Sequence, residues 1–123
     1  MRTRFPAAAA VASLALVFLA GCQTARPIYY WGNYEGSLYQ AYTHPEKMPP
    51  EEQIAKLQED LAKGAAAGLK ANPGLHAQLG YLYLHKGDVE AARKEFEIEK
   101  ALFPESAVLM DRLIQKLSAV AKS

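Results

Sequence analysis

The side chains that could perform chemistry are few and widely separated in this 123-residue chain. Its only cysteine is Cys22, and its three histidines are His44, His76 and His85. No two of these histidines are four residues apart, which is the spacing that presents two metal ligands on one face of a helix. The acidic run from Glu95 to Glu99 is interpreted as a solvated helix face, and no glycine-rich phosphate loop or nucleophile elbow occurs. We therefore expect no enzyme, no metal site and no dissociable cofactor.

Cys22 stands directly after a segment with the features of a secretory signal. Arg2 and Arg4 precede an apolar run, Ala7 to Leu19, that is shorter than the roughly 20 residues a membrane-spanning helix needs. The residues that end this segment, Leu-Ala-Gly-Cys at 19–22, resemble the lipobox of bacterial lipoproteins. That resemblance implies a diacylglyceryl thioether on Cys22, cleavage before it and acylation of its new amino group. The alternative is an ordinary signal peptide in which the cysteine lies there by chance.

The predicted division of the chain follows from this assignment: a signal peptide at 1–21, a lipidated tether at 22–28 and one helical domain at 29–121. No second cysteine is present for a disulfide, so packing must hold the domain together. Basic and acidic residues nearly balance, at 14 and 13, so no nucleic-acid partner is expected. Two or more acyl chains anchor a protein stably. By resemblance to the sorting rule of Gram-negative lipoproteins, Gln23 implies the outer membrane, with the domain facing the periplasm.

The central stretch of the domain, 72–105, resembles one tetratricopeptide (TPR) repeat. That repeat has a characteristic pattern of small and aromatic residues over about 34 positions, matched here by Leu79, Gly80, Tyr83, Ala92, Phe96 and Pro104. We predict that Gly80 and Ala92 form the closest contact between the two helices of a hairpin. Gly87 and Asp88 are predicted to form its turn, because glycine tolerates a left-handed conformation and aspartate caps helix N-termini. His76 replaces the usual Trp and is interpreted as a packing residue.

The elements around the repeat are also predicted to be helical. Residues 51–69 have apolar positions at helical period, with Pro50 as the first residue of the helix. The small run 64–68 indicates a close approach to another backbone. A short helix capped by Asn33 is expected before it. The last helix is expected to be capped by Ser106 and to direct Leu109, Leu113 and Leu117 inward. The fold class is therefore all-α, a short TPR-like array of about four to five helices, with a repeat hairpin at about 73–106 and a capping helix at 107–120.

An aromatic cluster between Tyr29 and Tyr42 precedes these helices and includes the only tryptophan. Three interpretations remain open for it. The rings could pack onto the repeat hairpin and complete its core, or they could form a partner-binding surface, since Tyr and Trp dominate interface hot spots. A third interpretation is stacking on sugars or contact with the membrane interface.

The groove of a TPR protein is lined mainly by the first helix of each repeat. When the repeat pattern is placed on this sequence, Ala77, Tyr81, Leu84 and His85 of that helix face outward. TPR proteins that clamp the C-terminal carboxylate of a peptide have Lys and Asn at these positions. This sequence has neither there, so an apolar or aromatic ligand is expected instead. We predict that the Tyr34, Leu38 and Tyr42 face fills the groove in cis and buries Tyr81. The candidate partner-binding residues are Tyr29, Tyr30, Trp31, Tyr34, Tyr81, Leu84 and His85.

Several separate motifs resemble a domain-of-unknown-function family of small bacterial TPR-like lipoproteins: YWGNYE at 30–35, PGL at 73–75, LGYL at 79–82 and MDRL at 110–113. The resemblance covers about residues 28–117. Members are often encoded beside a lipoprotein similar to the curli secretion channel, which implies a role in cell-envelope assembly or export. The leading hypothesis is thus an outer-membrane-anchored adaptor that binds other envelope lipoproteins. The alternative is a peptidoglycan-associated factor that binds glycan or regulates a wall synthase.

Overall fold

A computed structural model of the chain describes residues 25–120. Within that range the architecture is all-α, as predicted, apart from two strands of two residues each. The predicted signal peptide and Cys22 lie outside the described residues. The elements are β1 (Tyr29–Tyr30), α1 (Tyr34–Thr43), α2 (Pro50–Ala66), β2 (Lys70–Ala71), α3 (Leu75–His85), α4 (Val89–Leu102) and α5 (Ala107–Val120), with short 3-10 helices at Pro45–Lys47 and Pro104–Ser106. No helix between residues 25 and 120 is long and apolar enough to cross a bilayer.

The predicted repeat hairpin is formed by α3 and α4, which make the most extensive contact between any two elements described. Its turn is the predicted one. Gly87 has a left-handed φ of 80°, and the carboxylate of Asp88 accepts a hydrogen bond of 3.0 Å from the backbone nitrogen of Ala91. These two residues end one helix and begin the next by local rules alone.

The close contact in this hairpin differs from the prediction. A Cβ added to Gly80 would lie 2.5 Å from Cε1 of Phe96, and its three nearest atoms all belong to that ring. Gly80 therefore makes room for the buried Phe96 ring, whereas the predicted partner was Ala92. Ala92 is itself completely buried, one turn before Phe96 on α4.

Two apolar clusters form the core, one on each side of α3. The first joins α2 to α3 and consists of Ile54, Leu57, Leu75, Leu79 and Leu82. The second joins α4 to α5 and consists of Ala92, Phe96, Met110 and Leu117. Each helix thus packs mainly on its neighbours in the chain, which is the arrangement of a solenoid.

The last helix packs with two of its three predicted leucines, Leu113 and Leu117, facing the core. Leu109 is 58% exposed, whereas Met110 and Ile114 face the core beside Leu113 and Leu117. Ser106 does not cap this helix. It lies in the preceding 3-10 helix, where its hydroxyl donates to the carbonyl of Phe103 at 2.7 Å.

The sequence patterns did not reveal the small parallel sheet. Tyr29 pairs with Lys70 and Tyr30 with Ala71, so the aromatic segment lies along the connection between α2 and α3. α2 ends at Ala66, before the predicted boundary at 69, because Gly68 takes a left-handed φ of 68° and the following residues join the sheet.

The close approach predicted for the small-residue run 64–68 is confirmed at Gly64. A Cβ added there would lie 3.0 Å from the Cβ of Tyr30. The neighbour is therefore the aromatic segment that β1 brings over α2, and a larger side chain at position 64 would displace it.

Asn33 does not cap α1 with its side chain. Its backbone nitrogen donates to Oδ2 of Asp60 at 2.7 Å, and its Nδ2 donates to Oδ1 of Asp60 at 3.1 Å. Asp60 is buried on α2, so an ionised acceptor there forms stronger hydrogen bonds than the local helix end could offer. The turn at residues 31–33 is thereby fixed to α2.

Candidate functional site

A groove of about 240 Å³ lies between α1, the loop after it and α3. No Asp, Glu, Lys or Arg lines it. Its walls and floor are formed by Leu38, Ala41, Tyr42, Pro45, Met48, Pro50, Gln53, Gln78, Tyr81, Leu82 and His85. The groove is thus a mainly apolar surface with a few polar groups, beside the helix where the TPR resemblance predicted one.

Two exposed rings border this groove from opposite helices. Tyr42 on α1 is 85% exposed and Tyr81 on α3 is 51% exposed. The ring of Tyr81 lies 4.4 Å from that of His85, one turn later on the same helix. The side-chain amide of Gln53 donates to the carbonyl of Met48 at 2.8 Å, which ties the loop that forms the floor to α2. The groove therefore has a fixed floor and rings that are free to contact a ligand.

Only some of the α3 residues that were predicted to line the groove do so. Tyr81 and His85 line the groove, but Ala77 and Leu84 pack against the second core cluster beside α4 and α5. Leu84 is therefore partly buried beside α4 and α5 and does not line the groove, where it had been predicted. α3 is covered on two sides, and the spacing of apolar residues along one helix does not reveal which side remains open.

We predicted that residues of α1 fill the groove and bury Tyr81, and the burial of Tyr81 is not observed. Tyr34 packs on the first core cluster, and Leu38 is half-buried on the groove wall. Tyr42 nevertheless stands in solvent, and Tyr81 is half-exposed where a buried ring was expected. α1 forms one wall of the groove and leaves its centre open.

The predicted aromatic contact surface is divided by the fold. Tyr29 is half-buried with its ring 5.9 Å from that of Phe103, and Tyr30 is half-buried against Gly64. Both rings are therefore partly covered by the domain itself, where fully exposed rings had been predicted. Trp31 is 44% exposed and lies 6.1 Å from the ring of Tyr34.

A buried polar cluster at the N-terminus of α3 was missed by the sequence analysis. Glu99 on α4 is buried, with Oε1 accepting from the backbone nitrogen of Gly74 at 2.7 Å and Oε2 from that of Ala77 at 3.3 Å. The acidic residues of α4 are therefore not all solvated, as had been expected. A carboxylate satisfies the free N–H groups of a helix N-terminus and opposes the positive end of its dipole.

The sequence contained a signal for this cluster. Ala92, Phe96 and Glu99 follow the i, i+4, i+7 spacing of one helix face, which places Glu99 in the same inward row as two core residues. The cap of α3 thus comes from α4, and neither Asn72 nor Pro73, which precede the helix, supplies it. α3 begins at Leu75, after Gly74 with a left-handed φ of 92°.

Other polar groups extend the cluster. Nδ1 of the buried His76 lies 2.7 Å from Oε2 of Glu95, so the predicted packing role of His76 includes a hydrogen-bonding partner on α4. Burial, and the nearby Glu99 carboxylate to a smaller extent, raise the pKa of Tyr34 above its usual 10.0. Asn72 is completely buried, with its Nδ2 3.3 Å from the carbonyl of Pro73 and no partner for its Oδ1.

The cluster is arranged to join α3 to α4. Both oxygens of Glu99 are occupied by backbone N–H groups, and His76 and Glu95 are engaged with each other. Among residues 25–120, no group of three or more potential ligands is placed to hold a metal ion. The open groove is therefore the better candidate for contact with another molecule.

Comparison with known proteins identifies one family. The family model described as "Domain of unknown function (DUF4810)" matches residues 28–113. No curated protein and no solved structure matches the chain. The matched range starts just before β1 and ends within α5, so it includes every residue of the groove and of the buried polar cluster.

Proposed function

The chain belongs to the family of domains of unknown function DUF4810, and we propose that it is an outer-membrane-anchored lipoprotein acting as a TPR-like protein-interaction adaptor. The adaptor site is the groove between α1 and α3. The single observation that carries this proposal is that the groove is open, is lined by no Asp, Glu, Lys or Arg, and is bordered by the exposed rings of Tyr42 and Tyr81.

The chemistry of the groove supports a protein ligand that contributes apolar or aromatic side chains. A charged peptide would lose hydration there without gaining a counter-charge. A volume of about 240 Å³ accommodates a few side chains of a docked segment, and it is below the roughly 300 to 1,000 Å³ of typical small-molecule pockets. Tyr rings are frequent binding hot spots because they combine a large apolar area with a hydroxyl that can form a hydrogen bond.

The arrangement of α3 also supports a departure from the carboxylate clamps of other TPR proteins. Ala77 packs into the core and Tyr81 stands in the groove, so neither supplies the cationic or amide group that holds a charged C-terminus. We therefore propose that the groove recognises an internal apolar segment of its partner.

The family resemblance suggests where the partner is found. The proposed partners are other envelope lipoproteins, first among them a lipoprotein similar to the curli secretion channel, in an assembly or export complex. An acylated Cys22 would hold the domain on the periplasmic face of the outer membrane. Intact mass measurement of the purified mature chain tests this anchor, because the diacylglyceryl and N-acyl groups add a defined mass to a chain that begins at Cys22.

Site-specific photocrosslinking tests the groove directly. A photoreactive amino acid replaces Tyr81 in the full chain, expressed in its native envelope. The matched control replaces Leu109, which is similarly exposed at 58% but lies on α5, far along the chain from the groove residues. We expect crosslinks from position 81 to another envelope lipoprotein and none to that protein from position 109. Equal crosslinking from both positions would reject the groove as the partner site.

A second function is favoured by the same pair of exposed rings. Tyr42 and Tyr81 flank an uncharged groove, and aromatic faces of this kind stack on sugar rings, so a peptidoglycan-associated factor is the alternative. Cosedimentation of the full chain with purified sacculi distinguishes the two functions. Sedimentation that is lost in Tyr81→Ala and kept in Tyr39→Ala would favour glycan binding, since Tyr39 is exposed on α1 and does not line the groove.

A further inference from the structure

The side chain of Tyr34, the first residue of α1, lies against the backbone of Gly74, which immediately precedes α3. A Cβ added to Gly74 would lie 2.8 Å from the Tyr34 hydroxyl oxygen and 3.7 Å from Cζ, the ring carbon that carries this oxygen. Because Gly74 has no side chain, the phenol can approach the backbone this closely. The contact joins α1 to α3, the two helices that form the walls of the groove.

Two rows of side chains lead from this contact into the groove, one on each wall. The row on α1 continues from Tyr34 at intervals of four residues, and the row on α3 continues from Gly74 at intervals of four, three and four. Positions with such intervals share one face of a helix. The members of the rows that line the groove are Leu38 and Tyr42 on α1 and Gln78, Tyr81 and His85 on α3. The contact between Tyr34 and Gly74 therefore lies at the first position of both rows.

The two walls run in the same direction from this contact, because residues near the ends of both helices, Tyr42 and His85, line the groove together. Tyr42 is 85% exposed, so it does not brace the far end of α1 against α3. The hydrogen bonds of Asn33, just before α1, go to Asp60 on α2. The Tyr34 side chain is therefore the spacer between the two walls at the start of the groove.

We infer that the contact of Tyr34 with Gly74 positions α1 relative to α3 and thereby sets the width of the groove. Neither residue lines the groove, so both act as positioning residues. Close-packed contacts resist compression, and a change of volume at the spacer is therefore transmitted to the helix that carries it. The inference rests on the proposed function for what the groove binds, whereas the width of the groove can be measured without a ligand.

Three variants separate this contact from general effects on the backbone. Gly74→Ala places a methyl group 2.8 Å from the Tyr34 hydroxyl oxygen, whereas unbonded atoms prefer about 3.5–4.0 Å, so α1 has to move away from α3. Gly87→Ala is the matched control, since Gly87 has a similar left-handed φ, 80° against 92°, and a Cβ there meets nothing within 4 Å. Gly74→Ala combined with Tyr34→Phe removes the clashing hydroxyl and leaves Cζ at 3.7 Å, an ordinary contact.

A distance between α1 and α5 reports the movement of α1. α3 packs between these helices, with Ala77 and Leu84 in contact with the core cluster that α5 joins, so movement of α1 away from α3 lengthens that distance. The mature full chain carries p-acetylphenylalanine at Gln40 on α1 and at Gln115 on α5, both exposed and neither lining the groove. Spin labels are coupled to the two ketones, which leaves Cys22 unmodified, and double electron–electron resonance measures the distance between them.

We expect a longer distance in Gly74→Ala than in the wild-type chain, an unchanged distance in Gly87→Ala, and the wild-type distance again in the double variant. Circular dichroism melts verify that each variant is folded during the measurement. If Gly74→Ala does not fold, Tyr34→Leu takes its place, and the shorter side chain should reduce the distance. The inference is wrong if the wild-type distance persists in Gly74→Ala or in Tyr34→Leu, or if the double variant keeps the longer distance.

Photocrosslinking from position 81 then relates the width of the groove to binding. Crosslinks to the partner should decrease in Gly74→Ala and recover when Tyr34→Phe is added, because the second substitution restores the spacing of the walls. If the distances change as expected and position 81 forms no crosslink even in the wild-type chain, the proposed function fails and the positioning contact stands. If crosslinks form and the distances do not change, the groove binds its partner and this inference fails alone.

Discussion

The carboxylate of Glu99 accepts a hydrogen bond of 2.7 Å from the backbone nitrogen of Gly74, across the two helices of the repeat hairpin. Gly74 has a left-handed φ of 92° immediately before α3, so the first free N–H groups of that helix face α4. A residue of the second helix thus caps the first. In most helices a residue nearby in the chain supplies the cap. Here the cap comes from the other helix of the hairpin, so it holds the two helices together at the end opposite their turn.

The first prediction concerns this cap. Glu99→Ala leaves the N–H groups of Gly74 and Ala77 without their acceptors in a buried site, and a cost of about 1–3 kcal/mol per group is typical. We expect a lower free energy of unfolding in urea titrations. The control is Glu97→Ala, an exposed position on the same helix, where a change within about 0.5 kcal/mol is expected. Equal effects of the two substitutions would contradict the assigned cap.

The second prediction concerns the contact of Gly80 with Phe96. Gly80→Ala places a methyl group where the ring already lies, so overpacking should cost about 1–3 kcal/mol. The matched control is Gly36→Ala in α1, because a Cβ there meets nothing within 4 Å. An exposed helical glycine replaced by alanine should stabilise by about 0.5–1 kcal/mol. Thermal melts should therefore move in opposite directions, and a shared direction would show that the packing around Gly80 is misassigned.

The third prediction separates binding from stability at Tyr81. Because this ring is half-exposed, Tyr81→Ala should change the unfolding free energy far less than Phe96→Ala, for which a loss of about 3–5 kcal/mol is typical of a buried ring. The same substitution should reduce partner capture by the full chain. Capture that is retained in Tyr81→Ala, with a large loss of stability, would place the ring in the core and exclude it from the groove.

The fourth prediction concerns alkaline pH. Burial and the adjacent Glu99 raise the pKa of Tyr34 in the folded state above 10.0, whereas the unfolded chain keeps the ordinary value. Above pH 10 the folded state therefore binds more protons than the unfolded state, and stability should fall as pH rises through the folded pKa. Tyr34→Phe removes this contribution, so its urea midpoint should decline less between neutral and strongly alkaline pH. Parallel declines in the two proteins would show that another group is responsible.

Local patterns in the sequence determined the helical architecture and its principal turn. The period of apolar residues, the glycine and aspartate at 87 and 88, and Pro50 at the first position of α2 act over one or two helical turns, so they could be recognised without a structure. The hairpin of α3 and α4 appears where the repeat pattern predicted it. Helix ends were less accurate: α2 stops at Ala66, before the predicted 69, where Gly68 with its left-handed φ turns the chain into the sheet.

Only the tertiary structure decided which polar groups lie inside and which face of α3 stays open. Asp60 binds Asn33, Glu99 binds Gly74, and β1 pairs with β2, and each of these contacts joins segments more than twenty residues apart. From the sequence alone, a charged residue on a helix is expected to lie in solvent. Its burial becomes favourable only where a second element supplies hydrogen-bond donors. Likewise, Tyr81 and Leu84 are both apolar residues on one helix. The positions of α1 and α5 determine that Tyr81 borders a groove and that Leu84 is partly buried beside the second core cluster.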